Sequence, residues 1–217
     1  MKETYLTLKD IRDETAAILE EVKPIARSYR PELNLHRMAL LVVDMQLFFL
    51  HERGHGFIPS ANAIIPGIRA LEESCIQAGV PVFLTRHVNT VQDAGMMKKR
   101  WKELLTAGHA YIDIHPDLIL PQVRIIRKSQ FDAFYNTELE SVLRDMGRDQ
   151  LVITGVMTNL CCETTVRSAF VRNIEPVFPV DTTAAYNREF HISTFRNLLY
   201  GFIHPVLSEE LLNNILK

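Results

Sequence analysis

The chain predicts an α/β domain: a doubly wound, mostly parallel six-stranded sheet with helices on both faces and an additional helix at the N-terminus. Three observations lead there. Continuous apolar runs of strand length recur along the chain, helix-length amphipathic stretches separate them, and no internal repeat or Gly/Ser- or Pro-rich linker breaks the alternation. Strands apolar on both sides need cover on both, and helices packed on either face of a parallel sheet supply it.

The elements follow in order. Residues 6–29 place Leu8, Ile11, Thr15, Ile18, Leu19, Val22 and Ala26 at a helical period with polar residues between them, so an amphipathic helix leads in. It is expected to cover the domain or to pack on a neighbouring subunit. The pattern changes near residue 38, which divides the chain into a helical extension, 1–37, and a single globular domain, 38–217. MALLVV (38–43) is the first strand and stops abruptly at Asp44. Strands are expected again at VPVFLT (80–85), VRIIR (123–127), QLVITG (150–155) and EPVFPV (175–180), with a weaker one at HPVL (204–207). Helices are expected between them over 61–78, 137–146, 161–171 and 190–202.

Composition narrows the function. A chain of 217 residues, 47% hydrophobic and 23% charged, can bury a sizeable core. Its net charge of -2, with signs interspersed, offers neither a basic stripe for nucleic acid nor an acidic tail, which leaves a small-molecule substrate or a protein partner, the small molecule being the one expected. The N-terminus lacks the pattern of a secretory signal and the apolar runs are too short for a bilayer, so no membrane is expected and the location expected is cytoplasmic. Cys75, Cys161 and Cys162 are expected as free thiols, since adjacent cysteines seldom bridge each other. There is no G-x-S-x-G elbow, Walker loop or G-x-G-x-x-G, and no cofactor is expected. HERGH (51–55) matches the H-E-x-x-H zinc signature, which works only where a helix sets both histidines on one face. Gly54 inside it, Gly56 after it and Pro59 beyond point to a loop instead, and no metal is assigned.

In sheets of this class ligands bind beyond the carboxyl ends of the strands. Asp44 closes the first strand, Lys128 follows the third and Cys161 follows the fourth. Taken singly, each has a plain reading: a turn-forming aspartate, an exposed lysine, a small core cysteine. Gathered in one crevice they form a nucleophilic site. Asp44 would take the thiol proton, Lys128 and the helix N-terminus would steady negative charge, and backbone N–H groups at the turn would form an oxyanion hole.

The segments LLVVDMQLFF (40–49), RKSQFDAFYNTELESVLRDMGRDQLVITGVMTNLCCETTVRSAF (127–170) and PVDTTAA (179–185) resemble the isochorismatase-like hydrolase superfamily over roughly residues 38–207. That resemblance implies a doubly wound parallel sheet and, in the hydrolytic members, an Asp–Lys–Cys triad, which falls on Asp44, Lys128 and Cys161. Cys162 falls where relatives often carry valine. The resemblance further implies a cis peptide between Val156 and Met157, with the N–H groups of Met157 and Cys161 as the oxyanion hole. It places Gln46, Phe49 and Phe131 at the border of the substrate pocket, and a homo-oligomer is expected because relatives are commonly oligomeric.

The chemistry so implied is hydrolysis of an amide or related C–N acyl bond through a Cys161 thioester. Isochorismatases proper instead protonate a vinyl ether and typically carry glycine at the cysteine position; the thiol here favours acyl transfer. Ether hydrolysis with Asp44 as the acid, and a catalytically silent binding protein, stay open beside it. Where nicotinamidase-like members read DxQNDF this chain has DMQLFF, so Leu47 and Phe48 make the entrance more apolar. Nicotinamidases carry a metal-binding Asp-x-His after the second strand; TRHVN (85–89) supplies only His87, read as a strand-end residue that packs or hydrogen-bonds locally.

Overall fold

The computed structural model describes residues 1–27 and 29–216. In chain order the elements are α1 (Ile11–Val22), β1 (Met38–Val43), the one-turn α2 (Leu47–Leu50), α3 (Ile65–Gln77), β2 (Val82–His87), the one-turn α4 (Met97–Arg100), β3 (Arg124–Lys128), α5 (Leu139–Asp145), β4 (Gln150–Val156), α6 (Glu163–Val171), β5 (Glu175–Pro179), β6 (Thr183–Ala184), α7 (Arg188–Leu199), β7 (Pro205–Val206) and α8 (Ser208–Ile215). The strands form one parallel sheet in the order β3-β2-β1-β4-β5-β7, and β6 pairs with the end of β4. Order reverses between β1 and β4, which is where a doubly wound sheet opens its crevice.

Alternation along β1 explains the two cores. Met38, Leu40 and Val42 point to one face, against apolar residues of α3 and α8 such as Ile68, Leu71 and Leu211. Ala39, Leu41 and Val43 point to the other, against residues of α5, α6 and α7 such as Leu143, Val166 and Phe195. Ile18 and Val22 of α1 are wholly buried in this second layer, so the N-terminal helix covers its own domain.

The sheet has seven strands rather than six. β6 is two residues long, too short for any period to announce it, and is held by Thr183, whose Oγ1 donates to the Gly155 carbonyl at 2.8 Å. The leading helix is shorter than 6–29. Thr7 N–H donates to Asp10 Oδ1 in a turn before it, and Pro24, which has no N–H, lies in the 3₁₀ turn that ends it. α8 went unread because its apolar face is narrow, with Leu211 and Ile215 buried. HERGH lies in turns, with His51 and His55 exposed, so the geometry of a two-histidine zinc helix is absent there. Among the described residues no helix is long and apolar enough to cross a membrane.

Candidate active site

The site begins at a close approach of two strands. Val43 pairs with Gly155, and a Cβ on Gly155 would stand 2.1 Å from the Val43 carbonyl oxygen, so only glycine lets β1 and β4 run together here. Gly155 has φ +100, a conformation other residues rarely adopt. Asp44, which follows Val43, has φ 50, an unusual left-handed conformation for a non-glycine residue. Thr85 of β2 holds it there: its Oγ1 accepts from Asp44 N–H at 3.0 Å and donates to Asp44 Oδ1 at 2.6 Å. The turn is thereby locked with the carboxylate aimed along the sheet edge.

Lys128 ends β3 and reaches that carboxylate from the far side. Its Nζ lies 2.7 Å from Asp44 Oδ2, with both side chains fully buried. The contact is a wholly buried ion pair. Lys128 Nζ also donates to the Gln130 carbonyl at 2.8 Å and to Cys161 Sγ at 3.5 Å. Burial pulls its pKa down, but the charges of Asp44 and Cys161 outweigh that and hold the ammonium above its ordinary value.

Cys161 sits in a π-helical turn, Thr158–Cys162, that leads into α6. Such a wide turn between a strand and a helix occurs often at functional sites. The preceding Val156–Met157 peptide is cis. Burial pushes the Cys161 thiol up to about 12; Lys128 draws it down and Asp44 pushes it up, by charge and by hydrogen bond. Burial thus works against a standing thiolate and Lys128 works in its favour. Cys162 is wholly buried, its Sγ 3.9 Å from the Thr154 carbonyl, and burial lifts its pKa well above the ordinary thiol value.

The three residues predicted at strand ends are thus in contact. The predicted pocket residues divide. Phe49, 3% exposed, lines a small cavity over Cys161 together with Phe48, His87, Asn89, Met97, Trp101 and Glu103. Phe131 stands one ring back, its centroid 6.2 Å from Trp101, and Trp101 forms the wall in its place. Gln46 has no donor left for a ligand: its Nε2 donates to the His87 and Ile112 carbonyls at 3.1 and 2.7 Å, and its Oε1 accepts from His87 N–H at 2.7 Å. It clamps the end of β2 to the loop that follows. Asp181 ties the loop after β5 to α8 by accepting from Ser208 N–H at 2.8 Å.

The cavity has about 10 Å³ of room, the space of a single water. A larger one, about 520 Å³, opens at the opposite edge of the sheet between Arg27, Tyr29 and Pro31, the start of β5 and the end of α7. Size and chemistry do not coincide, and the reactive groups decide for the small one. Among the described residues no three His, Cys, Asp or Glu side chains cluster in a way that could hold a metal.

The isochorismatase domain family matches residues 38–210, most of the chain and every residue of the site. The chain belongs to the isochorismatase family. Among isochorismatase-family relatives, Nicotinamidase 3 of Arabidopsis thaliana is 33% identical over 184 residues, covering 82% of this chain and 88% of that protein. Enterobactin synthase component B of Escherichia coli K12 is 31% identical over 180 residues, covering 81% of this chain but only 62% of that protein. A crystal structure of a cysteine hydrolase from Pseudomonas syringae pv. phaseolicola 1448A superposes with a TM-score of 0.83 at 25% identity, covering 87% of this chain and 98% of that one. The protein is a hydrolase of the isochorismatase-like superfamily, on the doubly wound sheet that the sequence predicts.

Proposed function

We propose that the protein is a cysteine amidohydrolase acting on a small amide or a related C–N acyl bond. The observation that carries the reading is the contact of three buried groups, Asp44, Lys128 and Cys161, at 2.7 and 3.5 Å about one ammonium. With the thiol lifted to about 12, a base is required at the moment of attack, and Asp44, paired with Lys128 at 2.7 Å and acting on Cys161 by charge and hydrogen bond, is the group placed to be it. The proton passes from Sγ to Asp44 as Sγ bonds to the acyl carbon. The backbone N–H groups of Met157 and Cys161 take the oxyanion, Asp44 returns the proton to the departing amine, and water then cleaves the thioester with Asp44 again as base. Lys128 offsets the charge left on carboxylate or sulfur at each stage. Phe48, Phe49 and Trp101 would enclose an apolar or aromatic acyl group.

Nicotinamide, ureido and carbamoyl acids, and simple aliphatic and aromatic amides form the test panel, with ammonia release as the readout. Isochorismate, with pyruvate as the readout, is the control for ether hydrolysis, in which Asp44 would act as the acid and the sulfur would be dispensable. Ammonia release abolished by Cys161→Ala supports the thioester route. Full activity in Cys161→Ala, or pyruvate as the sole product across the panel, would sink it.

A further inference from the structure

His87 lies outside the group of three yet inside its packing. The parallel register sets His87 beside Lys128, so the two side chains leave the sheet on the same face as neighbours. His87 is 4% exposed; its Nδ1 is 3.4 Å from Lys128 Nζ and its Nε2 is 2.9 Å from Asn89 Oδ1. Asn89, buried as well, approaches the Ser129 carbonyl at 2.8 Å.

Donor and acceptor chemistry fixes the protons along this row. A carbonyl only accepts, so the Asn89 atom facing Ser129 is the amide nitrogen. The amide oxygen then faces His87 and requires a proton on Nε2. Burial keeps the imidazole neutral, drawing its pKa down to about 4; the Lys128 charge adds to this, while Asp44, the Asn89 hydrogen bond and Asp93 oppose it. A neutral ring with its proton on Nε2 presents a bare lone pair at Nδ1, and the group in front of that lone pair is the Lys128 ammonium.

We propose that His87, held as its Nε2–H tautomer by Asn89, is a positioning residue that aims the Lys128 ammonium between Asp44 and Cys161. The proposal rests on the reading of Lys128 and Cys161 as parts of the reaction centre. One ammonium proton goes to the Gln130 carbonyl and one faces Asp44. The third lies between His87 Nδ1 and Cys161 Sγ, at near-equal distances of 3.4 and 3.5 Å. His87 thus holds that proton within reach of the sulfur while the sulfur is still a thiol, and Lys128 need not reorganise when charge arrives there.

The tautomer is read by NMR of protein labelled with ¹⁵N-histidine at pH 7, the His87 signals being assigned by their loss in His87→Gln. A proton on Nε2 and a bare Nδ1 are expected, and Asn89→Leu should shift the proton towards Nδ1. A wild-type ring protonated on Nδ1, or on both nitrogens, overturns the proposal. The effect on the sulfur is read as the rate of Cys161 alkylation by iodoacetamide, mapped by mass spectrometry on protein whose fold is checked by circular dichroism. His87→Phe is expected to slow alkylation about tenfold, through loss of the cation's pull on the thiol. His87→Asn, whose amide oxygen can stand near the Nδ1 place, is expected to recover most of the rate. Should His87→Phe fail to fold, Asn89→Leu takes its place with the same expected slowing. A wild-type rate in His87→Phe, or equal slowing in His87→Phe and His87→Asn, overturns the proposal. These readouts need no substrate, so failure to release ammonia from any amide would count against the amidohydrolase reading alone.

Discussion

At Asp44 one carboxylate is held by two partners of different kinds. Thr85 fixes the direction of Oδ1 by hydrogen bonding, and Lys128 balances the charge at Oδ2 from 2.7 Å away. Asp44→Asn keeps the shape and removes the base, so turnover is expected to fall by about 10²–10⁴ with the fold intact, measured by ammonia release. Both changes leave a buried charge without its partner, and Lys128→Met removes the cation. It strands a buried carboxylate and is expected to cost about 3–5 kcal/mol of stability in addition to activity, read by chemical denaturation. Cys162→Ala should leave catalysis largely intact, since that sulfur faces the Thr154 carbonyl in the core. The three residues of the candidate site were legible because each closes a strand or opens the helix after one, where side chains must face the crevice. Thr85, Gly155 and Asn89 were not, because a threonine inside a strand, a glycine near a strand end and an asparagine in a loop look alike whether or not another strand stands beside them. Their roles exist only in the pairing of strands: Thr85 and Gly155 between β1 and its neighbours β2 and β4, Asn89 between the ends of β2 and β3.

The long connection between β2 and β3 supplies Asn89, Met97, Trp101 and Glu103 to the cavity wall, and none of them carries a sequence signal beyond that of an ordinary loop. Trp101 is its largest element of cover, stacked on Phe48 at a centroid distance of 6.3 Å and an interplanar angle of 30°. With about 10 Å³ of free space beneath, a substrate enters only if this cover moves. Trp101→Ala is therefore expected to raise kcat/KM for bulky amides relative to small ones, compared as a ratio on the same protein. α3, α5 and α7 were readable to within a few residues because each buries a periodic apolar face. The π turn before α6 was not, since five residues with a widened hydrogen-bond spacing leave no period.

Across the whole molecule, fold class followed from strands apolar on both sides, and the two cores follow from the alternation of β1. One group departs from that order. Glu72 of α3 is wholly buried with neither carboxylate oxygen hydrogen-bonded, and burial, with a smaller contribution from Glu73, lifts its pKa to about 8 against the pull of Arg69. The folded protein keeps this proton at a pH where the unfolded chain releases it, so stability falls as pH rises from about 4.5 towards 8. Glu72→Gln is expected to raise Tm at pH 8 and to change it little at pH 4.5, by thermal melts at both.

The sealed cavity also governs what other chemistry can reach the sulfur. Oxidation of cysteine to sulfenic acid follows thiolate character and access; burial works against the thiolate of Cys161, and its side chain is only 3% exposed. If Asp44 acts as the proposed base, peroxide should inactivate the resting protein slowly, and faster during turnover, when Asp44 would draw off the proton. The sulfur would then be most vulnerable to oxidants while it is at work.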